Sequence, residues 1–149
     1  MSVYTTDVLI EGVRRDDVLA WLSEPRNHRA IVEGAWDGLK ETGTGCFELD
    51  IKAPPRPRTL SYTFDRVDEE HGGRRIHVAL DGRRLKGKLH YSLRTMKPST
   101  NTLVTLHADF EGNGYILLAY EKMGLRPRME SAFKRMIENV HAGVVATKR

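Results

Sequence analysis

Cysteine is nearly absent: the 149 residues contain only Cys46. An internal disulfide is therefore excluded, and a lone thiol fits a reducing compartment. Long apolar runs are also missing. The longest strongly apolar stretch, Ile116 to Tyr120, is far short of the roughly 20 residues that a membrane-spanning helix needs. Residues 1–20 show no basic segment followed by an apolar one, so no secretory leader is expected and the chain reads as cytoplasmic. The sequence shows no internal repeat, low-complexity tract or Pro/Gly-rich linker, and residues 1–149 read as one domain. Charge of one sign is not in large excess. The net charge is +4 and the pI about 9.3, a mild bias compatible with anionic surfaces but not diagnostic of nucleic acid.

What is present is a long amphipathic segment at the end. With Met129 at zero and 100° per residue, Ala132, Phe133, Met136, Ile137, Val140 and Val144 fall with it inside an arc of roughly 140°. Glu130, Ser131, Lys134, Arg135 and Glu138 fall outside it. Pro127 suits a first helical turn, Glu130 and Lys134 are spaced for a surface pair, and Lys148 and Arg149 suit the C-terminal end of the helix dipole. Such a helix, about 30 Å long, could lie across a sheet of six or seven strands. Met129 and Met136 are flexible side chains that fill irregular gaps or line adaptable binding surfaces.

Ahead of that helix the periodicity is mostly two. Val3 to Glu11 reads as a strand ended by Gly12. Asp16 or Asp17 is placed to cap a short helix through Leu22 with Val18, Trp21 and Leu22 buried. A second short helix is expected from Pro25 or Arg26 to Val32. From Trp36 onward strands follow. Phe47, Leu49 and Ile51 alternate with polar residues after a Gly43–Gly45 turn, and Leu60, Tyr62 and Phe64 do the same in the next strand. Ile76, Val78 and Leu80 come next, then Leu85, Leu89, Tyr91 and Leu93, then Val104, Leu106, Ala108 and Phe110. Pro54 to Pro57 reads as a loop, Asp68 to Gly73 and Lys97 to Asn101 as turns, and Asp81-Gly82 as a hairpin turn. A short helix is expected around Tyr115 to Met123.

This order of elements resembles the START and birch-pollen-allergen superfamily (SRPBCC), in particular its bacterial polyketide cyclase/dehydrase-like and lipid-transport-like members. The resemblance covers essentially the whole chain. Its most recognisable pieces are Arg15-Asp16-Asp17-Val18-Leu19-Ala20-Trp21-Leu22-Ser23-Glu24-Pro25-Arg26-Asn27-His28, similar to the family's first-helix segment, and Gly43-Thr44-Gly45, similar to its glycine turn. The chain departs from many relatives at Ala30-Ile31-Val32, where they carry a tryptophan. The resemblance implies an α+β helix-grip fold: a curved antiparallel sheet of about six or seven strands wrapped around the C-terminal helix, with two short helices after the first strand. It also implies a cavity that takes lipids, polyketides or other apolar compounds, and in some members cyclisation or dehydration chemistry.

The inward-facing strand positions are apolar except for Tyr62 and Tyr91, a lining that suits an apolar ligand gripped by a few hydroxyl groups. That inward set holds no carboxylate, lysine or histidine to act as acid or base, which favours binding over catalysis, and no catalytic residue is assigned. Ligand contacts are expected from Trp36, Tyr62, Phe64, Tyr91, Tyr120, Met129, Phe133 and Met136. Six histidines (His28, His71, His77, His90, His107 and His141) show no metal-binding spacing, although His90 and His107 are placed to meet on the outer face. No metal or cofactor is expected. Arg74, Arg75, Arg83, Arg84, Lys86 and Lys88 form a basic stretch. An anionic membrane surface is a better match for it than nucleic acid, which would want more aromatic stacking platforms. Three functions follow: a carrier or sensor of a small hydrophobic molecule first, a polyketide cyclase or aromatase-type enzyme second, and a protein or RNA adaptor with a filled core third.

Overall fold

In the computed structural model, residues 2–52, 58–68, 75–83, 85–112 and 121–148 are described. Strand β1 (Ser2–Ile10) leads into α1 (Arg15–Ser23), a 3-10 turn (Pro25–Asn27) and α2 (His28–Val32). Six strands follow: β2 (Gly38–Gly43), β3 (Cys46–Ile51), β4 (Arg58–Val67), β5 (Arg75–Gly82), β6 (Leu85–Met96) and β7 (Asn101–Gly112). A π-helical turn (Glu121–Leu125) then opens into the long α3 (Arg126–Lys148). The sheet order is β1-β7-β6-β5-β4-β3-β2, and every neighbouring pair is antiparallel. This is the helix-grip arrangement expected from the sequence.

Period-two patterning places one face of each central strand in the core. Leu60 and Tyr62 of β4, Ile76, Val78 and Leu80 of β5, Leu89, Tyr91 and Leu93 of β6, and Val104, Leu106, Ala108 and Phe110 of β7 are all buried. The opposing layer is α3, whose entire stripe of Met129, Ala132, Phe133, Met136, Ile137, Val140 and Val144 is buried. Its 23 residues span about 35 Å at 1.5 Å per residue, enough to cross the sheet. The helix packs on β1, β7 and α2. From α3, the Asn139 side-chain amide donates to the carbonyls of Ile31 and Glu33 at 2.9 and 3.0 Å, fastening the end of α2.

Several local expectations are corrected. Neither Asp16 nor Asp17 caps α1; Arg14 is the N-cap without a side-chain bond, and the two aspartates sit inside the first turn, where they suit the helix dipole. The Asp81-Gly82 pair is not a turn. Both residues belong to β5, and Gly82 still pairs with Leu85 of β6. A Cβ at Gly82 would lie 2.9 Å from a terminal methyl of Leu60, so a larger residue there would have to push that side chain aside. Glu130 is held by Arg126 one turn earlier, at 3.0 Å, rather than by Lys134. In β4 the register slips between Phe64 and Arg66. That bulge restores Val67 to the inward side opposite Ile76. The π-helical turn breaks at Gly124, whose φ of 114° favours glycine. The expected loops at Pro54 to Pro57 and after Asp68, and most of the expected helix from Tyr115, lie outside the described residues.

Candidate functional site

The most concentrated chemistry lies under the two short helices. Helix α1 ends at Ser23 and leaves carbonyls without helical partners. Side chains from the following turn take two of them. Asn27 Nδ2 donates to the Trp21 carbonyl at 2.8 Å, and His28 Nε2 bonds the Leu22 carbonyl at 2.7 Å. The rest of the His28 ring enters the core, where the residue is fully buried. There Nδ1 lies 2.6 Å from the Tyr62 hydroxyl, which lies 3.0 Å from the Tyr91 hydroxyl. Phe64 meets the imidazole edge-on, with ring centres 5.0 Å apart.

Burial sets the protonation of this chain of groups. Desolvation pushes the His28 pKa down to about 4, only partly opposed by the Leu22 carbonyl, so the ring is neutral at pH 7. Burial likewise raises both phenols well above the ordinary value, with the neighbouring Tyr91 hydroxyl adding to the effect on Tyr62. All three groups are thus uncharged hydrogen-bonding groups over the ordinary pH range.

A second cluster forms where α3 begins. Its core is Phe133, whose ring centre is 5.3 Å from Tyr4, 6.4 Å from Phe110 and 5.7 Å from Trp36. The Tyr4 hydroxyl donates to Glu121 at 3.1 Å, and Arg126 bonds the same carboxylate oxygen at 2.8 Å. Arg126 also stacks over the Tyr4 ring, 4.5 Å from its centre. Burial, followed by the Glu121 charge, holds the Tyr4 pKa high. The half-buried Trp36 has its indole Nε1 shielded from water and without a hydrogen-bond partner among the described residues.

The expected ligand residues therefore separate into two groups. Tyr62, Tyr91 and Phe64 surround His28, whereas Trp36 and Phe133 meet at the start of α3, with Met129 and Met136 buried along the same helix. Tyr120 lies outside the described residues. The inward strand positions do lack ionisable side chains other than tyrosine. However, His28 and Glu121 enter the interior from α2 and the π-helical turn, so the interior is not free of acid–base groups. A strand-parity search could not find them. The available signal was a histidine following a short helix stop, six residues beyond Leu22.

On the outer face His90 does stand opposite His107, with ring centres 5.1 Å apart, and His77 extends the row from β5 at 5.9 Å. Desolvation, then the neighbouring His107 and Arg75, lowers the His90 pKa to about 4. His77 and His107 contact Asp68 and Asp109 at 3.0 and 3.2 Å. Among the described residues no group of three or more His, Cys, Asp or Glu is arranged to hold a metal ion, and no helix is long and apolar enough to cross a membrane.

No family model matches the chain. A probable chorismate pyruvate-lyase of Thiobacillus denitrificans is 36% identical over 70 residues, which is 47% of this chain and 36% of that protein. The match thus spans little more than a third of that relative's length. Among solved structures, the Zhui aromatase/cyclase of Streptomyces sp. R1128 superposes with a TM-score of 0.67 at 16% identity, covering 99% of this chain and 96% of its own. Norcoclaurine synthase of Thalictrum flavum, solved with dopamine and hydroxybenzaldehyde, gives 0.64 at 14% identity over 99% and 88% of the two chains. At such identities the likeness is one of fold. The chain has a helix-grip fold, shared with the Zhui aromatase/cyclase and norcoclaurine synthase.

Proposed function

We propose that the chain binds a small, largely apolar molecule between the sheet and α3, in contact with Trp36, Phe64, Tyr91, Met129, Phe133 and Met136. The observation that carries this reading is the Trp36 indole N–H, buried and without an acceptor among the described residues. Leaving such a donor unmatched costs roughly 1–3 kcal/mol, and native proteins seldom do so. An oxygen of a bound molecule would supply the acceptor. Norcoclaurine synthase, which shares the fold, was solved with two small aromatic compounds, in keeping with this reading.

The first test is native mass spectrometry of the freshly purified protein, followed by organic extraction. A released apolar compound supports the proposal; an empty protein that also fails to take up a fluorescent lipid or naphthalene probe defeats it. Phe133→Trp is expected to fill the space beside Trp36 and weaken probe binding about tenfold while the fold persists. Equal binding by that variant would mean the site lies elsewhere.

A second reading, a cyclase or aromatase-type enzyme, is favoured by the His28–Tyr62–Tyr91 chain, which joins a neutral imidazole to two phenols. In such an enzyme a substrate proton would pass to Tyr91 while each hydroxyl proton moved one place toward His28 Nδ1. The low basicity of His28 gives that transfer little driving force, so binding is the stronger reading. Turnover of a polyketide-like substrate, or release of pyruvate from chorismate, that is lost in Tyr91→Phe without loss of binding would reverse that order. The basic outer residues Lys86 and Lys88 are exposed, and docking on an anionic membrane would deliver an apolar cargo. Co-sedimentation with phosphatidylserine vesicles, abolished by salt, tests it.

A further inference from the structure

The direction of the buried hydrogen-bond chain follows from its far end. The Leu22 carbonyl can only accept, so His28 Nε2 carries the hydrogen that reaches it. In a neutral imidazole the other nitrogen is then a bare acceptor. The Tyr62 hydroxyl must donate to His28 Nδ1, which spends its only hydrogen. The Tyr62 oxygen therefore accepts from the Tyr91 hydroxyl, which spends its hydrogen in turn. Tyr91 Oη is left as an end that can accept but not donate. Trp36 Nε1 is the opposite, since an indole N–H donates and never accepts.

We infer that the molecule held between the sheet and α3 carries a hydroxyl hydrogen donated to Tyr91 Oη and, at its other end, an oxygen acceptor for Trp36 Nε1. The inference rests on the binding reading above and narrows it to hydroxylated ring compounds bearing a carbonyl, carboxylate or ether oxygen. A carbonyl facing Tyr91 could be served only by breaking the Tyr91–Tyr62 bond. The strand register gives the offset between Tyr91 and the aromatic cluster that Trp36 joins. Tyr91 pairs with Leu106 of β7. Tyr4, packed against Phe133, pairs with Ala108, and Phe110 lies two residues further on. At about 3.4 Å per residue the Tyr91 level and the Tyr4–Phe110 level, to which Phe133 links Trp36, are offset by roughly 7–14 Å along the strands.

A naphthalene series tests this by isothermal titration. The full probe is 6-hydroxy-2-acetylnaphthalene; one analogue has the hydroxyl methylated, and the other has the acetyl group replaced by ethyl. Each change is expected to weaken binding to the wild-type chain about tenfold. The methyl ether's penalty should vanish in Tyr91→Phe, and the ethyl analogue's penalty should vanish in Trp36→Phe, as a double-mutant cycle requires. Equal binding of all three probes, or penalties that persist unchanged in the variants, would overturn the assignment of polarity while leaving the binding function standing. No binding of any probe, with nothing extracted from the purified protein, would overturn both. Should a variant fail to fold, the wild-type ranking still decides, because preference for the methyl ether over the free hydroxyl contradicts a Tyr91 acceptor.

Discussion

His28 is the residue through which pH reaches the core. In the unfolded chain its imidazole takes up a proton near 6.5, but in the folded protein burial delays this to about 4. Between those values the unfolded state binds more protons, so stability is full above about pH 6.5 and declines as pH falls toward 4. The complete loss amounts to roughly 3 kcal/mol. Urea denaturation from pH 7.5 to 4 should show this slope, reduced in His28→Gln, whose amide can replace both hydrogen bonds without a charge. An unchanged slope in that variant would place the acid sensitivity elsewhere. The two tyrosines should differ as well. Tyr62→Phe strands the buried Nδ1 of His28 and should cost about 1–3 kcal/mol, whereas Tyr91→Phe removes only the end of the chain and should cost about 1 kcal/mol or less. Similar losses in the two variants would contradict the derived direction of the bonds. Tyr62 and Tyr91 were legible in the sequence because strand alternation turns both inward. His28 was not, because its burial depends on how α1 ends and where α2 begins, which no periodicity encodes.

Among the elements, α3 could be read almost completely in advance, since its buried stripe is a single helical period repeated without interruption. The strands were legible for the same reason, apart from the bulge after Phe64, where an inserted residue carries no compositional mark. The β5–β6 turn was misplaced because Asp81-Gly82 has the residues of a tight turn, whereas Gly82 still pairs with Leu85 inside the ladder. Contacts between elements were the least legible. Asn139 lies on the flank of the α3 stripe and looks like an ordinary surface amide, yet it satisfies two carbonyls at the end of α2. Asn139→Ala should destabilise the protein by about 1–2 kcal/mol. It should also speed hydrogen exchange in α2 beyond that in the central strands. Uniform exchange throughout the chain would show that α2 does not depend on this tether.

At the scale of the whole molecule, the interior has polar groups at two levels with apolar surface between them. The sequence exposed the apolar part, because hydrophobic periodicity reports which residues turn inward. It did not expose the His28–Tyr62–Tyr91 chain or the unpartnered Trp36 N–H, which arise only once the short helices, the sheet and α3 are assembled. The sheet order has one more consequence. Strand β1 pairs with β7, so Ser2 stands opposite Phe110 and Ile10 opposite Thr102. On the ribosome β1 must wait for about 100 further residues, roughly two-thirds of the chain, before its partner is made. At typical elongation rates that wait is on the order of 5–20 s. Throughout that interval the apolar side of β1, with Tyr4 and Ile10, has no sheet to join. Such a nascent chain is a natural client for chaperones that shield extended hydrophobic segments, and the closure of β1 onto β7 is a late event in its biogenesis.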